Sequence, residues 1–333
     1  MKKYLFIFMA AILLLTGCAS NSASYKDDKH EQKTIKVAAL KGPTSMGLVK
    51  LFKDSDEGNS YDKYEYTILN SPEEVVAGLS KGEFDIAAIP SNLASILYNK
   101  SEGKMLKVLT INTGSVLNIA SKDESIKTLE DLKGKTIVAS GKGATPEFVL
   151  RFILEKNGID PDKDVTFDFK SEHTEVVADL AKNPDHVALL PEPFLTVAKG
   201  KVEGLDSRIS LGDEWSKIEG AGELIAGVTV VTNKYLQTLE SDEDKLSLEK
   251  FLDHYKDSVD FANKKTADAA KIIGEMNIFP EDVAVKAIPN CKIMYEDSDK
   301  MKEDLSKFYE SLFSVNPKSI GGALPDEGFY YER

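Results

Sequence analysis

The sequence predicts an α/β protein of two homologous lobes joined by crossing strands, with C-terminal helices packed on the first lobe. Three observations predict it. The chain repeats itself without a gap: Val37, Ala38, Lys41, Gly42 and Thr44 recur 101 positions on as Val138, Ala139, Lys142, Gly143 and Thr145. The same register carries Glu74-Val75-Val76-Ala77, Leu79 and Lys81 into Glu175-Val176-Val177-Ala178, Leu180 and Lys182, and then Ala87 and Pro90 into Ala188 and Pro191. Such a period is too long for a solenoid. Within each copy, short apolar β-rich runs alternate with amphipathic helical runs, the pattern of parallel sheets with helices on their faces. Finally, about 300 residues is the size at which a single core stops growing and a chain divides.

Each element follows from local pattern. In the first copy, residues 35–40 read as a strand ending at Gly42 and Thr44, followed by a helix over 45–52, a strand over 64–69, a helix over 72–81 and a strand over 85–89 stopped by Pro90. The second copy reads likewise: strand 136–140, helix 146–156, strand 165–169, helix 173–182 and strand 186–190, stopped by Pro191. Residues 116–135 carry the chain into the second lobe, and 222–232, with Val228-Thr229-Val230-Val231, carry it back. Helical pattern then covers 242–262, 266–275, 280–288 and 298–312, whose charges read mostly as a solvated face. The lobes are therefore expected at 34–119 plus 227–333, and at 120–226.

The start of the chain reads as an address. Lys2 and Lys3 precede an apolar run too short to span a bilayer as a stable helix, and residues 1–17 read as a lipoprotein signal peptide. Leu15-Thr16-Gly17-Cys18 resembles a bacterial lipobox, which implies cleavage before Cys18 and a diacylglycerol on its sulfur. Residues 18–33 have almost nothing to bury and read as a flexible tether. The expected location is the extracytoplasmic side of a cell membrane, lipid-anchored; the alternative is an ordinary signal peptide whose cysteine is incidental.

A net charge of −13 argues against nucleic acid and against docking of the body on anionic lipid. The only other cysteine is Cys291, so stability must come from a core, which 42% hydrophobic composition can supply.

The run Ser125-Ile126-Lys127-Thr128-Leu129-Glu130-Asp131-Leu132-Lys133-Gly134-Lys135-Thr136-Ile137, followed by Gly141-Lys142-Gly143, resembles the start of the second lobe in type II periplasmic binding proteins. Lys81-Gly82-Glu83-Phe84-Asp85-Ile86-Ala87 extends the likeness, which covers roughly residues 34–232. Among these proteins it is similar to the group of alkanesulfonate, taurine and nitrate binders and the thiamine-pyrimidine-precursor (NMT1/THI5-like) proteins. The resemblance implies a solute-binding subunit of an ABC importer, working with membrane permease subunits and without a cofactor.

In open α/β sheets ligands sit beyond the carboxyl ends of the strands. The repeat then pairs Gly42, Thr44, Ser45 and Met46 with Gly143, Ala144 and Thr145 across a cleft, and Ser91-Asn92 with Glu192-Pro193. Glycine lets backbone approach a ligand. Thr44 and Thr145 either serve an anion at two helix starts or do no more than cap those helices. Lys41 and Lys142 either add charge or project into solvent. Glu192, held between Pro191 and Pro193, recognises an amine or ring N–H, or else is a lobe-surface carboxylate. Asn112 and Thr113 are expected on the cleft floor, bonding ligand or turning the chain. His173 is a ligand contact, a cap or a surface residue. The four histidines show no metal-ligand spacing. Trp215 reads as a core or lobe-surface anchor.

The expected function is capture, by a monomer, of a small anionic or zwitterionic organic molecule, sulfonate- or pyrimidine-like, with closure of two lobes around it. No nucleophile with an adjacent base and no cofactor lysine motif points to catalysis. An enzyme and a ligand-presenting sensory subunit on the same fold are the alternatives.

Overall fold

The apolar runs that recur 101 residues apart become the central parallel strands of two separate sheets. In the computed structural model, which describes residues 30–333, the first sheet contains β1 (Thr34–Leu40), β2 (Lys63–Leu69), β3 (Ile86–Pro90), β4 (Leu106–Thr113), β10 (Gly227–Thr232) and β11 (Ile293–Glu296). Their order is β11-β4-β10-β3-β1-β2. The second sheet contains β5 (Leu117–Ser121), β6 (Thr136–Ser140), β7 (Thr166–Lys170), β8 (Val187–Pro191) and β9 (Asp206–Ser210), in the order β7-β6-β8-β5-β9. β1 pairs in parallel with β2 and β3, as β6 does with β7 and β8. Val37 and Ala38 in one sheet and Val138 and Ala139 in the other are fully buried, as strands covered on both faces must be.

The helices of the two copies are α1 (Pro43–Met46), α2 (Val49–Asp56), α3 (Pro72–Lys81), α4 (Ser91–Lys100), α5 (Thr145–Lys156), α6 (His173–Lys182) and α7 (Phe194–Lys201). After these come α8 (Leu211–Ser216), α9 (Asn233–Leu236), α10 (Asp242–Lys264), α11 (Thr266–Glu275), α12 (Glu281–Ala287) and α13 (Ser298–Val315). Capping explains the sharp ends of α3: Ser71 Oγ accepts from Glu74 N at 3.3 Å, the Glu74 carboxylate accepts from Ser71 N at 3.0 Å, and Gly82 closes the helix at φ 72°.

The helix expected over 45–52 is split at Gly47. A Cβ there would lie 3.0 Å from Ile293 Cγ2 and 3.3 Å from Val259 Cγ2, so the break seats the segment beneath β11 and α10. β11 itself, only four residues long, lay inside a region read as helical and connecting; it adds an edge strand beside β4. The C-terminal helices pack on the first lobe, and two aromatic contacts carry them on to the second. Phe279, ahead of α12, meets Phe194 edge-on at 5.2 Å, and Phe308 of α13 meets Trp215 at 5.4 Å. Trp215 is a core anchor, 1% exposed, with Phe152 on it at 4.6 Å and Nε1 donating to Gly222 O at 3.1 Å.

β4 ends in the first sheet at Thr113 and β5 begins in the second at Leu117, so the outward crossing is residues 114–116, slightly ahead of the expected boundary. The return crossing lies within 217–226, where Ala226 N donates to Thr113 O at 2.9 Å. Residues 30–33, expected in the tether, lie against the first lobe. The His30 ring stacks on Tyr61 at 3.8 Å with Nε2 2.8 Å from Asp62 Oδ1, and Lys33 N donates to the same oxygen at 2.9 Å. The signal peptide and Cys18 lie outside the described residues. Among the described residues no helix is long and apolar enough to cross a membrane.

Candidate functional site

The loops that follow the parallel strands of both sheets meet between the lobes, but not in the pairs that the repeat suggests. Ser91 and Asn92, after β3, meet the loop after β6 rather than Glu192. Ser91 Oγ lies 3.2 Å from Thr145 Oγ1, Asn92 N donates to Thr145 Oγ1 at 3.3 Å, and Thr145 Oγ1 donates to Asn92 Oδ1 at 3.0 Å. Asn92 Nδ2 completes the contact, donating to Gly143 O at 3.1 Å and to Ser319 O at 3.0 Å. Lys41, after β1, lines instead the same cavity as Glu192, after β8. The crossing segments account for this exchange. Ser91 N is bonded to Ala226 O and Glu192 N to Val116 O, so the ends of β3 and β8 are clamped to different crossings and each meets the first-strand loop of the other lobe. A repeat identifies equivalent positions; it does not specify the rotation that relates them.

Most of the polar groups predicted to bind a ligand are occupied by the protein. Ser91, Asn92 and Thr145 are at most 1% exposed and form the interlobe latch just described. Thr145 does not cap α5, whose N-cap, Ala144, makes no side-chain bond. Nor does Thr44 cap α1: its Oγ1 donates back to Leu40 O at 2.8 Å, while Ser45 Oγ donates to Gly42 O at 2.9 Å. Met46 is wholly inside the first-lobe core. Asn112 Nδ2 donates to Thr229 Oγ1 at 3.0 Å and its Oδ1 accepts from Thr113 Oγ1 at 2.8 Å, tying β4 to β10. These residues lie close under the first loop: a Cβ on Gly227 would be 2.6 Å from Asn112 Oδ1 and 2.9 Å from Thr44 Cγ2. His173 Nδ1 lies 2.6 Å from Ser140 Oγ, and burial pushes the imidazole down to about 4, so it is neutral near pH 7. Lys142 extends from an exposed loop position to 5.9 Å over the Phe169 ring.

Glu192 is the exception. It is 5% exposed and lines an interlobe cavity of about 860 Å³. Phe194 and Phe279 form apolar wall on either side of the lobe boundary, with Lys41 Nζ 5.4 Å above the Phe279 ring. Lys201 and Lys286 stand at exposed positions on its lining. Burial raises the Glu192 carboxyl above the usual range, against hydrogen bonds from Thr196 and the charge of Lys199, which lower it. The cavity draws its walls from α7 and from the Phe279 turn and α12, segments some 80 residues apart. The C-terminal contribution was missed because its lysines share the pattern of any solvated helix face; only the Pro-Glu-Pro-Phe sequence at the end of β8 marked this place.

Residues 57–211 match the family model described as ABC transporter, phosphonate, periplasmic substrate-binding protein. An ABC transporter structure from Parabacteroides distasonis aligns over 90% of this chain and 99% of its own, with 26% identity and a TM-score of 0.71. Residues 57–211 thus carry a substrate-binding domain of the ABC-transporter type, within a chain that has the type II periplasmic fold. The alkanesulfonate-binding protein SsuA from Xanthomonas axonopodis pv. citri, solved bound to MOPS, shares that fold. It aligns with this binding protein over 89% of the chain and 96% of its own, at 16% identity and a TM-score of 0.67. The aliphatic sulphonate binding protein SsuA from Escherichia coli covers 91% and 93% at 12% identity, with a TM-score of 0.66. A comparison with curated protein sequences gives no match.

Proposed function

We propose that this binding protein captures a small organic anion, sulfonate- or pyrimidine-like in size, in the cavity between its lobes, and acts as a lipid-anchored monomer that delivers it to a membrane permease. The observation that carries this reading is electrostatic. Lys41, Lys199, Lys201 and Lys286 line the cavity against two carboxylates, Glu192 and Asp282, and of these lysines only Lys199 makes an ion pair among the described residues, in a chain of net charge −13. A surplus of cations at one concavity attracts and holds an anion. Both the anion-binding names among its structural neighbours and the cavity volume, within the usual range for small-molecule sites, support it.

Isothermal titration with ethanesulfonate, methylphosphonate, a substituted pyrimidine and a quaternary ammonium compound tests the ligand class. Binding of the anions, together with a thermal shift equivalent to about 2.7 kcal/mol at a hundredfold excess over Kd, is the expected result. Binding of the ammonium compound alone overturns it. For the anchor, the wild-type chain is expected in the membrane fraction of the producing cell and Cys18→Ala in the soluble fraction. An unchanged distribution sinks the lipid assignment.

A further inference from the structure

The chain enters the first lobe through a strap of residues 30–33, ahead of β1 and at the opposite end of that strand from Lys41 and the cavity. Its holding point is His30, whose side chain is 8% exposed and stacks on Tyr61 at 3.8 Å. Both ring nitrogens face carboxylates: Nε2 lies 2.8 Å from Asp62 Oδ1, and Nδ1 lies 3.2 Å from Glu243 Oε1 at the start of α10. A neutral imidazole has one N–H and would turn a lone pair on one of these oxygens, whereas the imidazolium donates to both. Asp62 needs that charge. It is wholly buried, and among the described residues His30 is its one ion-pair partner. Of the other groups at the strap, Lys33 pairs with Asp244 through Nζ and donates to Asp62 Oδ1 through N at 2.9 Å, Gln32 Nε2 donates to Ser60 O at 3.2 Å, and Glu31 is exposed. The next lysines along β2 and α10, Lys63 and Lys245, are paired with Glu65 and Asp242. Tyr64 and Tyr235 feel the Asp62 carboxylate; burial first, and Asp62 after it, raises both, so neither is charged while His30 titrates.

We propose that a proton locks this strap: with His30 charged, residues 30–33 are held on the first lobe, and with His30 neutral they come away from it. The remaining bonds do not hold the strap by themselves, because the partly exposed Lys33–Asp244 pair contributes little and a neutral His30 leaves a buried carboxylate without its counter-ion. Burial lowers the pKa of His30, but the hydrogen bonds and charges of Asp62 and Glu243 outweigh it and leave the ring raised above the ordinary histidine value. A raised pKa makes the contribution of the strap complete below about pH 6.5, the unfolded value, and loses it as pH rises through the folded one. Where Cys18 carries a lipid, as the anchor reading above has it, release lengthens the link between lipid and body by residues 30–33, about 13 Å at full extension. The reach of the body from the membrane then answers to external pH, while the cavity, at the other end of β1, does not.

Limited trypsin digestion tests the lock on the protein as purified from the producing cell in mild detergent, whether or not Cys18 is acylated. The rate of cleavage after Lys33 is divided by that of a free peptide of residues 29–38 in the same tube, which removes the protease's own response to pH. Protection is expected to be about tenfold greater or more at about pH 6 than at about pH 9, as a hydrogen bond from a charged group to a buried partner implies. His30→Phe, which keeps a ring on Tyr61 but takes up no proton, is expected to show the weak protection of the higher pH at both values. Glu243→Gln, a change at an exposed position, is expected to lose about two- to fivefold of the protection at the lower pH and none at the higher. Equal wild-type protection at the two pH values overturns the proposal. So does a His30→Phe variant that keeps the wild-type response, or a Glu243→Gln loss that is the same at both. Each of these results leaves the lipid anchor standing, since Cys18→Ala tests that separately.

Discussion

Thr145→Val is expected to shift the unliganded protein toward an open form and to weaken every ligand by the same factor, up to about 30-fold. The hydroxyl it removes touches Ser91 Oγ, Asn92 N and Asn92 Oδ1, all in the other lobe and all buried. Valine preserves the shape and leaves Asn92 N and Asn92 Oδ1 without this partner when the lobes close, while Ser91 Oγ still donates to Ile225 O at 2.6 Å, at a cost of about 2 kcal/mol. In the open form they meet water, so neither lobe loses stability of its own. A ligand that binds the closed form must then supply that difference. Small-angle scattering without ligand should show a larger radius of gyration than wild type, and titration a common factor across chemically different ligands. A factor that varies from ligand to ligand would mean that Thr145 touches the bound molecule, as the sequence suggested, and would sink the latch.

Trp215→Ala should cost about 3 to 5 kcal/mol of unfolding free energy. Trp215 is packed between Phe152 of α5 and Phe308 of α13, so truncation opens a void where the second lobe meets the C-terminal helices, and strands the Gly222 carbonyl. Because it is the chain's single tryptophan, urea unfolding must be followed by far-ultraviolet circular dichroism rather than by indole fluorescence. A fall in midpoint with an unchanged slope is the expected signature. A loss below about 1 kcal/mol would show that the void collapses and that this seam is not a major source of stability.

Much of the fold was legible because its signals are local. The strand over residues 136–140 and the helices over 72–81, 173–182 and 266–275 were read to the residue, since a two- or 3.6-residue apolar period, a capping serine and a closing glycine all act within one element. The split at Gly47 was not legible: nothing near it announces Ile293 and Val259, more than 200 residues away. β11 was missed for a similar reason, being four residues whose strand character comes from pairing with β4.

The site divides along the same line. Its general location, beyond the carboxyl ends of the parallel strands, and Glu192 as a member, could be read from the repeat and the two flanking prolines. That Ser91, Asn92 and Thr145 bond one another, and that Phe279 and Lys286 join Glu192 around one cavity, could not. By itself the sequence determined the two lobes, their strands and which positions are equivalent, because burial patterns and chain reversals are written in neighbouring residues. Only the tertiary structure decided which equivalent loops meet and which polar groups remain free for a ligand. Those outcomes depend on how the crossing segments orient one lobe against the other, a relation carried by hydrogen bonds such as Ser91 N to Ala226 O and Glu192 N to Val116 O, between residues with no common local pattern.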